Sequence, residues 1–229
     1  MSERAGTAGW TILCDFDGTI STVDVTDRLL EAHAAPGWEI VEARWARGEI
    51  GSRDCLAAQV ALLDMGPEEL EAQIEAVAID PAFGRFVAAA RRRGMPLAVV
   101  SDGLDVVIRG VLRRHALGDL EVRANRLERV GARRWRLAFP HADPACTSGS
   151  GHCKCAEARR ARDAGRVLYV GDGASDFCVA PRVDRLFARG RLLEHACRHG
   201  IACEPIRGFE DALAALDRLA APALDDEPA

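Results

Sequence analysis

The sequence predicts an α/β fold, a Rossmann-like parallel sheet core with an inserted all-helical cap subdomain and a small β-hairpin. Three observations carry the prediction. Short apolar runs with β-branched members recur at 10–14, 97–100 and 167–170, and each runs into Asp, Ser or Gly. Helical spacing separates the later runs, the alternation of a mostly parallel sheet covered on both faces. One stretch, residues 24–79, carries helical spacing with no strand pattern inside it.

The first run, Trp10-Thr11-Ile12-Leu13-Cys14, enters Asp15-Phe16-Asp17-Gly18-Thr19, a buried strand meeting a polar loop. Val25, Leu29, Leu30 and His33 then share one helix face, and Trp38, Val41 and Trp45 the next, up to a break at Gly48. Ser52 suits the cap of a third helix through Leu56, Val60 and Leu63. Pro67-Glu68-Glu69 opens a fourth, because a first turn has no hydrogen bond for proline to remove. Four consecutive helices read as an insertion. The expected division is a catalytic core of residues 1–20 and 81–229 with a helical cap subdomain of residues 21–80.

Beyond the insertion, a helix over 81–93 leads to the strand 97–100, closed by Ser101-Asp102-Gly103. Residues 105–115 are helical, and 121–126 with 135–139 form the hairpin around Gly131. A helix over 154–164 precedes the strand 167–170, closed by Gly171-Asp172-Gly173. A short strand at 185–188 is followed by a helix to 199, and the end from 220 reads as a frayed tail.

Composition narrows the function classes. With 48% apolar and 28% charged residues the 229-residue chain is ordinary for a globular protein, and no apolar run reaches the length of a membrane span. Residues 1–10 lack a secretory pattern, so the expected location is cytoplasmic. The net charge of −5 is dispersed, and the arginine pairs and triplets alternate with acids and alanines as solvated helix faces, so no nucleic-acid partner is expected. Eight cysteines in a chain of this kind read as reduced thiols. Lys154 is the one lysine among 30 basic residues. Where arginine serves everywhere else, a retained compact ammonium marks a site too tight for a planar guanidinium.

In parallel sheets ligands bind at the carboxyl ends of strands. Asp15, Asp17, Ser101, Asp172 and Asp176 all lie at such ends and would converge on one crevice. Carboxylates that close repel one another unless a cation sits between them, and an oxygen-only donor set suits Mg²⁺. Gly18 and Gly103 would let backbone N–H groups approach an anion, and Ser101 and Lys154 can donate to a phosphoryl group. Together these supply a carboxylate nucleophile, a second carboxylate for proton transfer, a metal cradle and two phosphoryl binders.

These residues resemble the haloacid-dehalogenase-like (HAD) phosphatases over nearly the whole chain. Asp15-Phe16-Asp17-Gly18-Thr19 is similar to the first motif, Ser101 to the second, Lys154 to the third and Gly171-Asp172-Gly173-Ala174-Ser175-Asp176 to the fourth. The resemblance implies that Asp15 attacks phosphorus and that Asp17 protonates the leaving oxygen and then activates water. It implies Mg²⁺ held by Asp15, the backbone carbonyl of Asp17 and Asp172, with Asp176 in support. It also implies phosphate contacts from Gly18, Thr19, Ser101, Asp102, Gly103 and Lys154. The insertion resembles the cap of the phosphoserine phosphatase branch (subfamily IB). Ser101-Asp102-Gly103 departs from the Ser-Gly-Gly usual in that enzyme, and residues 45–50, Arg53-Asp54-Cys55, Gln59 and Cys153-Lys154 look more like methionine-salvage enolase-phosphate phosphatases.

The expected substrate is therefore a small phosphorylated metabolite, and the expected assembly a monomer or homodimer. A phosphotransferase, in which another alcohol intercepts the aspartyl-phosphate, stays open, as does a non-catalytic phosphometabolite sensor. Arg53 and Trp45 fit either substrate contacts or a surface ion pair and a cap-core ring. Cys146, His152, Cys153 and Cys155 surround Lys154 without the spacing of a zinc knuckle and read as small loop residues.

Overall fold

The computed structural model describes residues 9–220. Most of the expectation for residues 1–10, and the frayed tail beyond 220, lie outside the described residues. Seven strands form one sheet in the order β4-β3-β2-β1-β5-β6-β7. They are β1 (Trp10–Cys14), β2 (Leu97–Leu104), β3 (Glu121–Arg129), β4 (Trp135–Ala138), β5 (Arg166–Gly171), β6 (Arg185–Ala188) and β7 (Glu204–Pro205). All neighbours pair in parallel except the β3–β4 hairpin.

Sequence periodicity explains the layers. Along β1, Trp10, Ile12 and Cys14 join one core while Leu13 joins the other, and along β5 Leu168 and Val170 separate in the same way from Val167 and Tyr169. Each central strand is thus apolar on both sides because successive side chains point to opposite faces. The larger core takes in α1 (Val25–His33), α4 (Pro67–Ala76), α5 (Phe83–Arg92), α6 (Asp105–Arg114) and α9 (Phe209–Ala220); the smaller takes in α7 (Lys154–Arg162) and α8 (Gly190–His199).

Helices α1, α2 (Trp38–Ala46), α3 (Ser52–Ala61) and α4 follow one another between β1 and α5, interrupted only by isolated bridges such as Ser21 to Ile79. The hairpin braces this helical block. Trp135 Nε1 donates to Met65 O at 2.9 Å, and Arg133 pairs with Asp64 and Glu69.

Several local expectations change. Ser52 is the first helical residue of α3 rather than its cap, which is Gly51. Strand β2 continues past Val100 to Leu104, with a slip in its pairing to β3 over that span, so Ser101-Asp102-Gly103 lies inside an irregular strand end. Helix α9 was not foreseen. Phe209 packs on Phe83 and Phe86 with ring centroids 4.8 and 5.2 Å apart. Asp80 caps both partners, accepting from Ala82 N at 2.8 Å and Phe209 N at 2.9 Å, which satisfies orphan N–H groups at two helix starts.

Strand β1 lies between β2 and β5, where the chain's path across the sheet reverses direction. Such a point opens a crevice at the strand carboxyl ends.

Candidate active site

The crevice is a cavity of about 320 Å³. Its sheet side carries Asp15, Asp17, Ser101, Asp102, Gly103 and Asp172, and the helical block contributes Asp24, Asp27, Glu42, Trp45, Ser52 and Gln59 among others.

Asp15 follows β1 directly, and its backbone N–H continues the ladder by donating to Val170 O at 2.9 Å. Asp15 is 4% exposed, and its carboxylate meets Lys154 Nζ at 2.8 Å. Lys154 opens α7, is 1% exposed, and also donates to Asp176 Oδ1 at 2.6 Å and Ser175 Oγ at 3.0 Å. Asp176 is fully buried and accepts further from Tyr169 OH, Asp172 N and Gly173 N. So saturated an acceptor fixes the fourth-motif loop and the ammonium together.

One carboxylate oxygen from each of Asp15, Asp172 and Asp176 lies within 4.8 Å of the others. Burial pushes the Asp15 carboxyl well above its ordinary range; Lys154 opposes this, and Asp176 and Asp172 add to it. Burial also raises Asp172, against the hydroxyl of Thr19, which donates to its Oδ1 at 2.8 Å. Burial would lower Lys154, but Asp15 and Asp176 more than offset it and hold the ammonium charged. Three acids against one ammonium leave a deficit of positive charge, and a hard oxygen-binding divalent cation fits that donor set. The Asp17 side chain stands outside the group, accepting from Val25 N at 2.9 Å. Burial first and Asp24 second raise its pKa well above the usual carboxylate value, which suits a group that must hold a proton.

The two glycines have a role beyond the expected one. A Cβ at Gly18, whose φ is +68°, would lie 2.4 Å from Asp172 Oδ2, and one at Gly103 would lie 2.5 Å from Asp17 Oδ2. Both glycines make room for carboxylates. The N–H of Gly103 is already engaged, donating to Ser101 Oγ at 2.8 Å, which leaves the serine hydroxyl hydrogen free to donate into the cavity. Thr19 has its hydroxyl committed to Asp172.

Asp102, expected near phosphate, has its carboxylate engaged by protein donors. Oδ1 accepts from His152 N at 2.6 Å, and Oδ2 is 3.4 Å from Ser52 Oγ of the helical block. Trp45 lines the cavity, but Arg53 does not; it is exposed and pairs with its neighbour Asp54. The cysteines remain free thiols, and among the described residues only the Asp15–Asp172–Asp176 group gathers three potential metal-binding side chains. His152 instead serves Glu157, a buried carboxylate that also meets Arg123 and Arg160.

Comparisons with known proteins agree with this geometry. The family model described as haloacid dehalogenase-like hydrolase matches residues 12–181. The chain is 30% identical over 215 residues to a 2-hydroxy-3-keto-5-methylthiopentenyl-1-phosphate phosphatase of Geobacillus kaustophilus, covering 91% of this chain and 96% of the relative. A protein of the same name from Exiguobacterium sibiricum is 29% identical over 205 residues, covering 87% and 93%. Among solved structures, a phospho-aspartyl intermediate analogue of phosphoserine phosphatase superposes with TM-score 0.68 at 20% identity, covering 91% of this chain and 99% of that one. A HAD family hydrolase from Salmonella enterica serovar Typhi superposes with TM-score 0.70 at 18% identity, covering 99% and 75%. With the strand-end carboxylates, the buried lysine and the fourth-motif loop gathered at one crevice, the chain belongs to the haloacid dehalogenase-like hydrolases.

Proposed function

We propose that the protein hydrolyses a small phosphate monoester through an aspartyl-phosphate on Asp15. The observation that carries this reading is the ammonium of Lys154 bridging Asp15 and Asp176 at the mouth of the central strands. Asp15 attacks phosphorus while Asp17, whose pKa burial raises, gives its proton to the departing alkoxide. The resulting Asp17 carboxylate then takes a proton from water as that water attacks the acyl phosphate. Ser101 and Lys154 donate to the phosphoryl oxygens and offset their growing charge. Mg²⁺ fits the acidic group, where Asp15 and Asp172 would hold it with the Asp17 backbone carbonyl; when bound it supplies charge neutralisation for an anion meeting an anion.

Residues 21–80 form the cap in this reading, with 1–20 and 81–229 the catalytic core. A cytoplasmic location is supported by eight free thiols, and among the described residues no helix is long and apolar enough to cross a membrane. The assembly is expected to be a monomer or homodimer.

Two substrate readings compete. The curated relatives support a methionine-salvage type enol phosphate, 2-hydroxy-3-keto-5-methylthiopentenyl-1-phosphate. Asp24, Asp27 and Glu42 on the cap wall favour instead a substrate with a positively charged group, as phosphoserine has. Against phosphoserine itself, no cap arginine or lysine is among the described residues lining the cavity to meet a second anion.

Hydrolysis of an aryl phosphate with Mg²⁺, with EDTA, and after Mg²⁺ is restored tests the class. Activity that depends on the metal and vanishes in Asp15→Asn supports it, and metal-independent turnover or an active Asp15→Asn refutes it. A panel holding the enol phosphate and amine-bearing monoesters then separates the two substrates.

A further inference from the structure

Asp102 sits where four parts of the chain meet. Its backbone carbonyl accepts from Nδ2 of Asn125, a fully buried residue of β3, at 2.5 Å. Its Oδ1 accepts from the backbone N–H of His152 at 2.6 Å, two residues before Lys154. Its Oδ2 faces Ser52 Oγ at the start of α3, at 3.4 Å. The contact with His152 is short and charge-assisted, while that with Ser52 is at the outer limit for a hydroxyl donor.

A second contact joins the same two segments. Arg53 N donates to Gly149 O at 3.1 Å, and the backbones of Gly51 and Gly149 touch so closely that a Cβ on Gly51 would come within 2.8 Å of the Gly149 oxygen. Residues 51–53 of the cap thus rest on residues 149–152, the segment that leads directly into Lys154.

We propose that Asp102 is a positioning residue: its carboxylate ties the start of α3 to the segment that delivers Lys154, so that seating the cap and seating the ammonium are one event. The inference rests on the phosphatase reading and adds to it a coupling between cap and core. A glycine at this position would offer no side-chain acceptor to either segment, so the coupling belongs to the Ser101-Asp102-Gly103 form of the motif. The tie needs acceptor geometry rather than a net charge directed at substrate. Asparagine can keep it, with its carbonyl oxygen accepting from His152 N and its amide donating to Ser52 Oγ.

The test compares Asp102→Ala, Asp102→Asn, Ser52→Ala and Gly51→Ala in the full chain. KM and kcat are measured for an aryl phosphate, and amide hydrogen exchange is followed over 51–56 and 149–154 without substrate. Asp102→Ala is expected to raise KM about tenfold and, because the ammonium is unseated with the cap, to lower kcat about tenfold, and to speed exchange in both segments. Asp102→Asn should recover most of both losses. Ser52→Ala and Gly51→Ala should each raise KM a few-fold, and Ser52→Ala should add nothing on top of Asp102→Ala. Should Asp102→Asn be as impaired as Asp102→Ala, or should exchange over 51–56 stay at the wild-type rate in Asp102→Ala, the tie is wrong and the carboxylate acts by its charge. Exchange is read without turnover, so it judges the tie even if the chain hydrolyses no phosphate ester.

Discussion

The two walls of the cavity are built in opposite ways. On the sheet side, Asp15, Ser101, Lys154 and Asp176 are nearly or fully buried; Lys154 ties Asp15 to Asp176, and Ser101 accepts from Gly103 N. On the helical side, Asp24 and Asp27 are exposed and Glu42 and Trp45 are half-buried; Glu42 is held chiefly by Gln59 Nε2, at 2.9 Å. The sheet wall is preorganised for one transition state, because misplacing any of its groups disturbs the rest. The helical wall carries charge with few constraints, the kind of surface that can be changed without disturbing the chemistry. In the proposed reading, the strand ends set the reaction type and the helices the choice of substrate.

The largest expected effect falls on the sheet wall. Lys154→Arg keeps the charge, yet a planar guanidinium in a site 1% exposed cannot meet Asp15, Asp176 and Ser175 together. Turnover of an aryl phosphate should fall about 1000-fold in steady-state assays, and a fall below about tenfold would break the contrast between the walls.

Next comes the support beneath that wall. Burial would raise Glu157, but hydrogen bonds from His152, Arg123 and Arg160 more than offset it and bring it down to about 2. Because the folded state holds this carboxyl below its unfolded value, the stabilisation is present above about pH 4.5 and is lost as pH falls toward 2. Glu157→Gln should cost on the order of 3 kcal/mol at neutral pH in urea unfolding, with wild type and variant converging near pH 2. A constant difference across that range would contradict the assignment.

Smaller effects test finer geometry. Gly103→Ala puts a methyl against Asp17 and should lower kcat about 30-fold with little change in thermal midpoint. Glu42→Gln, on the helical wall, should leave aryl phosphate kcat within about twofold and change KM about fivefold for amine-bearing monoesters only. A uniform fall across substrates would place Glu42 with the chemistry instead.

The contrast also explains what could be read from the sequence. Asp15, Asp17, Ser101, Asp172 and Lys154 were legible because each follows a buried strand or stands out in composition, and parallel sheets bring strand ends together. The partners that organise them were not. The His152–Asp102 and Ser52–Asp102 contacts each span 50 residues, and nothing local marks them. At Gly18 and Gly103 a one-dimensional pattern cannot say that a distant carboxylate fills the space a Cβ would take. For Arg53 the sequence left substrate contact and a surface ion pair both open, and the structure shows the ion pair, with its own neighbour Asp54. Helix α9 did carry a signal, Phe209, Ala212 and Leu216 at helical spacing, but its Asp80 cap lies 129 residues away.

The central claim is that Asp15 carries the phosphoryl group. Quenching the enzyme during turnover of an aryl phosphate, reducing with borohydride and sequencing the peptides by mass spectrometry tests it directly, since reduction of an aspartyl-phosphate leaves homoserine. Homoserine at position 15, absent when substrate is withheld and absent in Asp15→Asn, is the predicted result. Vigorous turnover with Asp15 unmodified, or the adduct at another residue, would contradict it.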